Sequence, residues 1–385
     1  MPRKVCVVIT ARPSYSRVRS LLRAIEAQPE LELQLVVAAS ALLERYGSVA
    51  DVIEREGFRI QRRIYNVFEG ENLLTSAKST GMGVVELATA FAELVPDMVV
   101  TIADRFETIA TAIAASYQNI PLVHLQGGEV SGSIDEKVRH AVTKLADLHF
   151  VSSEHAAERV IRMGERSERV FVTGCPSIDV VVEALAQPPI GTAELFRRYG
   201  GVGDVLDLDE SYLVVIQHPV TTEYEASRRH VDETLHAVAE SGIPTLWFWP
   251  NVDAGSDGSS KGIRAFRETH TLPHVHFFKN LPPEDFLRLL DRSACIVGNS
   301  SVAIRECAFM GVPAVNVGNR QQGRDRGRNV IDVEYDRKQI RAAIEQCMAA
   351  GRFASDPLYG DGRSGARIAL QLVTAPLDVE KRLTY

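Results

Sequence analysis

The sequence has few cysteines and no paired cysteine motif. Its 385 residues contain 5 cysteines, an odd number, and none of them form a Cys-x-x-Cys pair. Cys6 and Cys295 lie in apolar strand-like runs, and Cys307 lies in an apolar helical pattern. We therefore expect small, reduced core residues, which is the usual cysteine chemistry of a cytoplasmic protein.

Long apolar runs and leader patterns are also missing. No apolar run approaches the roughly 20 residues that a membrane span needs. Met1-Pro2-Arg3 enters a strand-like run at once, without a signal-peptide pattern. A composition of 45% hydrophobic and 24% charged residues predicts a soluble globular protein, and the length suits two domains. The net charge of −7 argues against non-specific nucleic-acid binding.

Several catalytic signatures are absent. The sequence has no H-E-x-x-H, no G-x-S-x-G and no His/Cys cluster with metal-ligand spacing, so no metal is expected. The first predicted strand is followed by Thr10-Ala11-Arg12-Pro13-Ser14-Tyr15-Ser16 where a dinucleotide site would have G-x-G-x-x-G. The sequence therefore gives no reason to expect a redox cofactor.

Apolar runs typical of buried parallel strands alternate with helical patterns along the chain. In the first half the strand patterns are residues 5–10, 33–39, 98–103, 121–125, 149–152 and 170–173. After a break between Val182 and Ser211, strand patterns resume at residues 212–216, 245–249, 275–278, 295–297 and 314–317. The alternation predicts two tandem Rossmann-like domains, residues 1–185 and 205–364, around a cleft. A helix pattern within residues 365–385 is expected to complete the first domain.

Polar groups follow the predicted strands of the first half, where ligands bind in open α/β sheets. Arg12 and Ser16 have the chemistry to hold a phosphate or a sugar, although Ser16 also suits a helix N-cap. Asp104 and Arg105 follow the strand at residues 98–103. They either face the cleft or cap the next helix with first-turn charges.

A glycine-rich segment follows the strand at residues 121–125. In Gln126-Gly127-Gly128-Glu129, the two glycines let the backbone approach a ligand closely. Glu129 and Asp135 add carboxylates near the same edge. Ser133 with Glu136 three residues on forms a capping box, so Glu136 is predicted to be structural.

In the second half, the segment Gly298-Asn299-Ser300-Ser301 lies between a strand and an apolar helix pattern. Ser301 is predicted to cap that helix, and Gly311 to end it. Free N–H groups and the positive dipole end of such a helix favour a phosphate. Glu306 either binds a ribose diol or is a solvated surface charge.

Other strand ends of the second half add polar candidates. His218 is predicted to be functional because imidazole suits proton transfer at neutral pH. Asn251, Lys279 and Arg320 also follow predicted strands and are assigned to substrate binding.

At this point the residues resemble the UDP-N-acetylglucosamine 2-epimerase family, and specifically its hydrolysing branch of the sialic and legionaminic acid type. The similarity rests on residues 127–136, 139–145, 217–222, 250–255 and 298–306. It implies two Rossmann-like domains of the glycosyltransferase-B type, a UDP-sugar substrate, no cofactor, and a homo-oligomer, either a dimer or a tetramer. No nucleic acid or membrane partner is expected.

The resemblance also implies residue roles. It assigns the nucleotide to the second domain, with Ser300 and Ser301 on the diphosphate and Glu306 on the ribose. Arg320 and Arg12 supply nearby positive charge. Positions tied to catalysis in the family carry Asp104, Asp135 and His218 in this chain, with Glu129 as a further acid–base candidate.

The chain departs from the family pattern at two positions, and two alternative functions remain open. Many family members have Asp where this chain has Ser14, and Glu where it has Gln126, which cannot shuttle a proton. The non-hydrolysing branch is one alternative, but of its Gly-Thr-Arg-Pro-Glu signature only Arg12-Pro13 is present. A nucleotide-sugar glycosyltransferase of the same fold is the other, and no acceptor site is evident in the sequence.

Overall fold

A computed structural model describes residues 1–43, 49–69, 73–102, 105, 107–131, 135–250 and 256–384. The chain divides into two compact units. The first unit consists of Met1–Glu129, Asp135–Val180 and Gly360–Tyr385, and the second is built on Val181–Tyr359.

The first unit contains a parallel sheet. Its described strands are β1 (Arg3–Ile9), β2 (Leu31–Ala38), β3 (Arg62–Ile64), β4 (Met98–Ile102), β5 (Leu122–Leu125), β6 (Leu148–Val151) and β7 (Val170–Val172). The order across the sheet is β3-β2-β1-β4-β5-β6-β7. The helices are α1 (Arg12–Glu26), α2 (Val49–Arg55), α3 (Leu73–Leu94), α4 (Thr108–Tyr117), α5 (Asp135–Leu145), α6 (Glu154–Arg162) and α7 (Pro176–Leu185). This is the doubly wound order of a Rossmann-like sheet, extended by one strand.

Both faces of this sheet are covered, which explains the continuous apolar run of β1. Val5, Val7 and Ile9 contribute to one buried cluster. Cys6 and Val8 contribute to another cluster on the opposite face, as the two-residue period of a strand requires. All five cysteines are free and buried.

The second unit repeats the same sheet order with new strands. They are β8 (Leu213–Ile216), β9 (Thr245–Phe248), β10 (Val275–Phe278), β11 (Cys295–Gly298), β12 (Ala314–Val317) and β13 (Val330–Val333). The order is β10-β9-β8-β11-β12-β13, all parallel. The helices are α8 (Thr192–Tyr199), α9 (Ser227–Ser241), α10 (Ser256–Thr269), α11 (Pro283–Arg292), α12 (Glu306–Met310) and α13 (Arg337–Ala350).

The last helix, α14 (Ser364–Thr374), packs on the first unit. Asp179 caps its N-terminus, because its carboxylate accepts the main-chain N–H groups of Ser364 at 2.9 Å and Gly365 at 2.7 Å. A Cβ atom at Gly365 would lie 2.6 Å from the carbonyl carbon of Ser20, so α14 approaches α1 more closely than any larger residue allows. Leu372 is then buried in the core beside β1.

The structure corrects the start of α1. An N-cap at Ser16 would start the helix at residue 17, but α1 begins at Arg12, with Ala11 at the N-cap position. Pro13 supports this early start because its fixed φ angle suits the first helical turn. Ser16 is therefore inside the helix, where its hydroxyl donates to the Arg12 carbonyl at 3.3 Å, and it is not the N-cap.

The predicted strands did not include β3 and β13, the helix patterns did not single out α3, and α8 lies within the predicted break between Val182 and Ser211. Among the described residues, no helix combines the length and the apolar character that crossing a membrane requires.

Candidate functional site

Each sheet reverses its strand order at one place, which we call the switch point of that unit. The first switch point lies between β1 and β4, and the second lies between β8 and β11. Ligands of open α/β sheets bind beyond the carboxyl ends of the strands at such points.

At the first switch point, arginines lie in the connections that follow β1 and β4: Arg12 begins α1, and Arg105 precedes α4, which begins at Thr108. Arg12 is the first residue of α1, and burial lowers the pKa of its guanidinium. Arg105 donates from Nε to the Glu107 carboxylate at 3.2 Å, and Glu107 is itself buried. Asp104, the carboxylate expected beside Arg105, lies outside the described residues.

Gln126 follows β5 and is held at both ends of its amide. Its backbone adopts a left-handed φ of 63°. Arg17 donates to its Oε1 at 3.4 Å, and its own Nε2 donates to the Cys175 sulfur at 2.9 Å. Sequence reasoning missed both partners. Arg17 was detectable as a cation one turn beyond Arg12 on α1, whereas nothing in the sequence pointed to Cys175.

Glu129 is a buried carboxylate at the end of a turn that only glycine permits. Gly128 has a φ of 72°, and a Cβ there would lie 2.2 Å from the Ala156 carbonyl oxygen. Glu129 is 5% exposed and accepts a hydrogen bond from Ser152 Oγ at 2.9 Å. Its carbonyl accepts from Arg139 at 2.7 Å. The glycine turn therefore fixes the carboxylate against β6 and α5.

Helix α5 begins at Asp135. The position of the Asp135 side chain lies outside what the structure describes. Glu136 accepts from Arg139 at 2.8 Å and contacts His140 Nε2 at 3.0 Å. These contacts agree with a structural role for Glu136. Ser133 of the predicted capping box lies outside the described residues.

At the second switch point, Asn299 joins the ends of β8 and β11. Its Oδ1 accepts from the His218 main-chain N–H at 2.7 Å, and its Nδ2 donates to the His218 carbonyl at 2.8 Å. Gly298 permits this approach, because its φ is 133° and a Cβ there would lie 2.1 Å from the Ile216 carbonyl oxygen. Sequence reasoning missed Asn299, which fixes the main chain of His218.

The main-chain carbonyl of Asn299 also contacts the loop that follows β12. It accepts hydrogen bonds from Arg320 Nη1 at 3.1 Å and Gln321 Nε2 at 2.9 Å. Gln217 has a structural task, since its amide accepts from Thr234 at 2.6 Å. The structure thus brings His218 and Arg320 to the same strand ends, as the sequence predicted for each separately.

The serine pair after β11 requires a correction. Ser300, not Ser301, is the N-cap: its backbone is extended and its hydroxyl accepts from the Val302 N–H at 3.4 Å. Ser301 instead accepts from Arg305 Nη2 at 3.0 Å. The capped element is a 3-10 turn over Ser301–Ala303.

The apolar helix predicted after this turn is short. α12 runs over only Glu306–Met310 and ends at Gly311, whose φ of 70° is the helix stop predicted from the sequence. Buried Arg305 separates the 3-10 turn from α12. A helix of this length carries a small dipole, so side chains and main-chain N–H groups must supply most of any attraction for a phosphate.

Glu306 opens α12 and is 8% exposed, which rules out a solvated surface charge. One of its carboxylate oxygens, Oε2, is buried and accepts no hydrogen bond from the described part of the chain. The nearest cationic atom, Arg305 Nε, is 3.9 Å away, longer than a hydrogen bond. Buried carboxylate oxygens are normally hydrogen-bonded, so this oxygen has capacity for a ligand hydroxyl.

The remaining two candidates of the second unit add little geometry. Lys279 directly follows β10 and is exposed. Asn251 lies outside the described residues.

Comparison with known proteins identifies the family of this chain. The family model for UDP-N-acetylglucosamine 2-epimerase matches residues 23–373. The chain belongs to this family. It is 32% identical over 378 residues to a UDP-N,N'-diacetylbacillosamine 2-epimerase (hydrolyzing) of Legionella pneumophila, covering 98% of this chain and 97% of that protein. It is 30% identical over 380 residues to a UDP-N-acetylglucosamine 2-epimerase of Neisseria meningitidis, covering 98% and 96%.

Solved structures of 2-epimerases share the fold. The Neisseria meningitidis enzyme bound to UDP-GlcNAc superposes with a TM-score of 0.81 at 17% identity, covering 96% of this chain and 100% of that one. The Methanocaldococcus jannaschii enzyme in complex with UDP-GlcNAc and UDP gives 0.79 at 18% identity, covering 97% and 100%. The predicted α/β fold of two Rossmann-like domains is confirmed.

Proposed function

We propose that this protein is a hydrolysing UDP-N-acetylglucosamine 2-epimerase that acts on UDP-GlcNAc or a related UDP-diacetamido sugar. It releases UDP and a free sugar of the manno configuration. The observation that carries the nucleotide-sugar assignment is the buried Glu306 oxygen, which has no hydrogen-bond donor among the residues that the structure describes and follows the Ser300–Ser301 turn. The assignment to the hydrolysing branch is supported by the Gly128–Glu129 turn and by the name of the Legionella relative.

In this proposal the second unit binds UDP. Glu306 accepts hydrogen bonds from the ribose hydroxyls. Ser300, Ser301 and Arg320 hold the diphosphate, with Arg12 adding positive charge. Fixed donors and cations of this kind stabilise the charge that develops on UDP as it leaves. The other proposed substrate contacts are Ser16, Arg105, Gln126, Asn251 and Lys279.

The first unit carries out most of the proton transfer. Asp104 removes the proton from C2 while the C1–oxygen bond to UDP breaks, and C1 and C2 become doubly bonded in a 2-acetamidoglucal. Water then adds its oxygen to C1, and Asp135 directs return of a proton to C2 on the opposite face. His218 of the second unit assists at the leaving oxygen. A C2 proton is barely acidic, so stabilisation of departing UDP must supply much of the rate.

Glu129 and Gln126 have secondary roles in this scheme. Glu129 is buried and held by Ser152, which makes it a reserve acid–base group for the same steps. Gln126 neither gives nor takes a proton. Its amide, held between Arg17 and Cys175, orients the sugar.

The test is product analysis by NMR after incubation in deuterated water with UDP-GlcNAc and, separately, its diacetamido analogue. We expect free UDP and a free 2-epimerised sugar with deuterium at C2. A product that remained linked to UDP would assign the protein to the non-hydrolysing branch. Turnover that required an added acceptor alcohol would favour a glycosyltransferase.

A further inference from the structure

The chain after α14 returns along the first unit. We call residues 376–384 the C-terminal strap. Arg169 donates to the Pro376 carbonyl at 3.3 Å and to the Asp378 carboxylate at 2.5 Å. Near its end, the Thr384 N–H donates to the Gly164 carbonyl at 3.2 Å. The strap is therefore attached to the first unit at both ends.

Lys381, in the middle of the strap, binds the C-terminal end of α5. Its side chain is only 26% exposed. Its ammonium group donates to the Thr143 carbonyl at 3.2 Å and to the Ala146 carbonyl. These carbonyls belong to the last turn of α5 and its first following residues, where a helix has carbonyl groups without internal partners. A cation at this position also interacts favourably with the helix dipole.

A buried carboxylate links the strap and α5 a second time. Glu165 is 4% exposed and accepts from Lys381 at 2.7 Å and from Lys144 of α5 at 2.5 Å. Its third partner is His149 of β6, whose Nε2 lies 3.0 Å from the carboxylate. Burial alone would raise the pKa of Glu165, but the hydrogen bonds from His149, Lys144 and Lys381 lower it to about 2. Glu165 is therefore a permanent anion between two lysines.

The opposite end of α5 carries the groups to which chemistry is assigned. Asp135 is its first residue. Arg139, one turn later, is 1% exposed and joins the Glu129 carbonyl to the Glu136 carboxylate. An α-helix of this length is a stiff rod, about 16 Å long at 1.5 Å per residue. A displacement at its C-terminal end therefore moves its N-terminal end as well.

We propose that the C-terminal strap positions α5 for catalysis and that Lys381 is a positioning residue for Asp135 and Glu129. This inference rests on the proposed function, which gives those two carboxylates their roles. Misplacement of a reacting group by about 1 Å can cost up to about 10²-fold in rate. A loose strap therefore lowers kcat and leaves UDP binding, a task of the second unit, unaltered.

The test compares Lys381→Met with Arg382→Met in the full-length chain. Arg382 is the exposed neighbour of Lys381, so its replacement removes the same charge from the same segment. We expect Lys381→Met to lower kcat about tenfold or more with UDP affinity unchanged, and Arg382→Met to keep the parent kcat. Lys381→Arg should recover part of the loss, and Lys381→Gln serves if the methionine variant does not fold.

Hydrogen exchange of the α5 amides supplies a readout that needs no substrate. The strap account expects faster exchange at the N-terminal turns of α5 in Lys381→Met than in Arg382→Met. Parent exchange rates there, or a parent kcat in folded Lys381→Met, would overturn it. If the parent chain turned over no UDP-sugar, the proposed function would fail. The exchange rates alone would then decide whether the C-terminal strap positions α5.

Discussion

The two switch points use different chemistry for the same architectural task. At the second switch point, the neutral residue Asn299 connects the strand ends. Its side-chain amide fixes the main chain of His218, and its main-chain carbonyl accepts hydrogen bonds from Arg320 and Gln321. At the first, arginines pair with oxygens, as in Arg105 with Glu107. We call the Asn299 side-chain amide and its two hydrogen bonds to His218 the amide clamp. An amide does not titrate, so these hydrogen bonds persist as pH changes, and Glu306 remains an acceptor for ligand hydroxyls. We infer that the second unit is built for binding and the first mainly for proton transfer.

The largest expected effect is the loss of kcat when a proposed acid–base carboxylate of the first unit is replaced. Asp135→Asn and Asp104→Asn should each lower kcat by about 10²–10⁴-fold, the usual cost of losing an acid–base group. UDP affinity, measured by calorimetry, should stay at the parent value. Glu158→Gln is the matched control, since Glu158 is exposed on neighbouring α6. An Asp135→Asn enzyme that turned over at the parent rate would remove that residue from the mechanism.

The next effect tests the amide clamp. Asn299→Ala removes both side-chain hydrogen bonds to the His218 main chain at a site that is fully buried. We expect the free energy of unfolding to fall by about 2–4 kcal/mol, because each buried group left without a partner costs about 1–3 kcal/mol. Denaturant titration measures the loss. Gln322→Ala, at an exposed amide nearby, should stay close to the parent; equal losses in both variants would contradict the clamp.

Glu306→Gln tests the proposed role of the second unit in UDP binding. It should weaken UDP binding by about 1–3 kcal/mol, the range for a charge-assisted hydrogen bond. The melting temperature should change little, because Glu306 Oε2 accepts no hydrogen bond from any described residue. Glu345→Gln, at an exposed carboxylate of α13, is the control for charge alone. A lower melting temperature with unaltered UDP affinity would make Glu306 a structural residue.

The smallest expected effect concerns Gln126. Gln126→Glu keeps the shape, places a carboxylate beside Arg17 and leaves the Cys175 thiol able to donate to it. It also adds an acid–base group to the first switch point. We expect kcat to rise by up to about tenfold, within the range of general acid–base effects. Loss of activity in the folded variant would show instead that the amide is required by the substrate.

The sequence predicted much of the fold because the central strands are buried on both faces. Strands such as β1 and β8 are nearly uniformly apolar, so their runs were evident. β3 was missed because two of its three residues are exposed arginines. α3 was missed because its apolar residues are not confined to one face, and Leu74 and Val85 are exposed.

The candidate site was predictable where a residue directly follows a strand, as His218 and Arg320 do. Partners that depend on strand order were not. Asn299 and His218 are 81 positions apart in sequence, and only the pairing of β8 with β11 brings them together. Gln126 and Cys175 are separated by 49 positions in the same way. The N-cap was assigned one residue late because two consecutive serines both had the right chemistry.

We infer that UDP binding is mainly the task of the second unit and proton transfer mainly that of the first. A double-mutant cycle on kcat/KM with Asp135→Asn and Glu306→Gln tests it most directly. If the tasks are separate, the two effects multiply, and the coupling free energy stays within about 0.5 kcal/mol of zero. A coupling of about 1.5 kcal/mol or more, with the double variant little worse than either single one, would contradict the division.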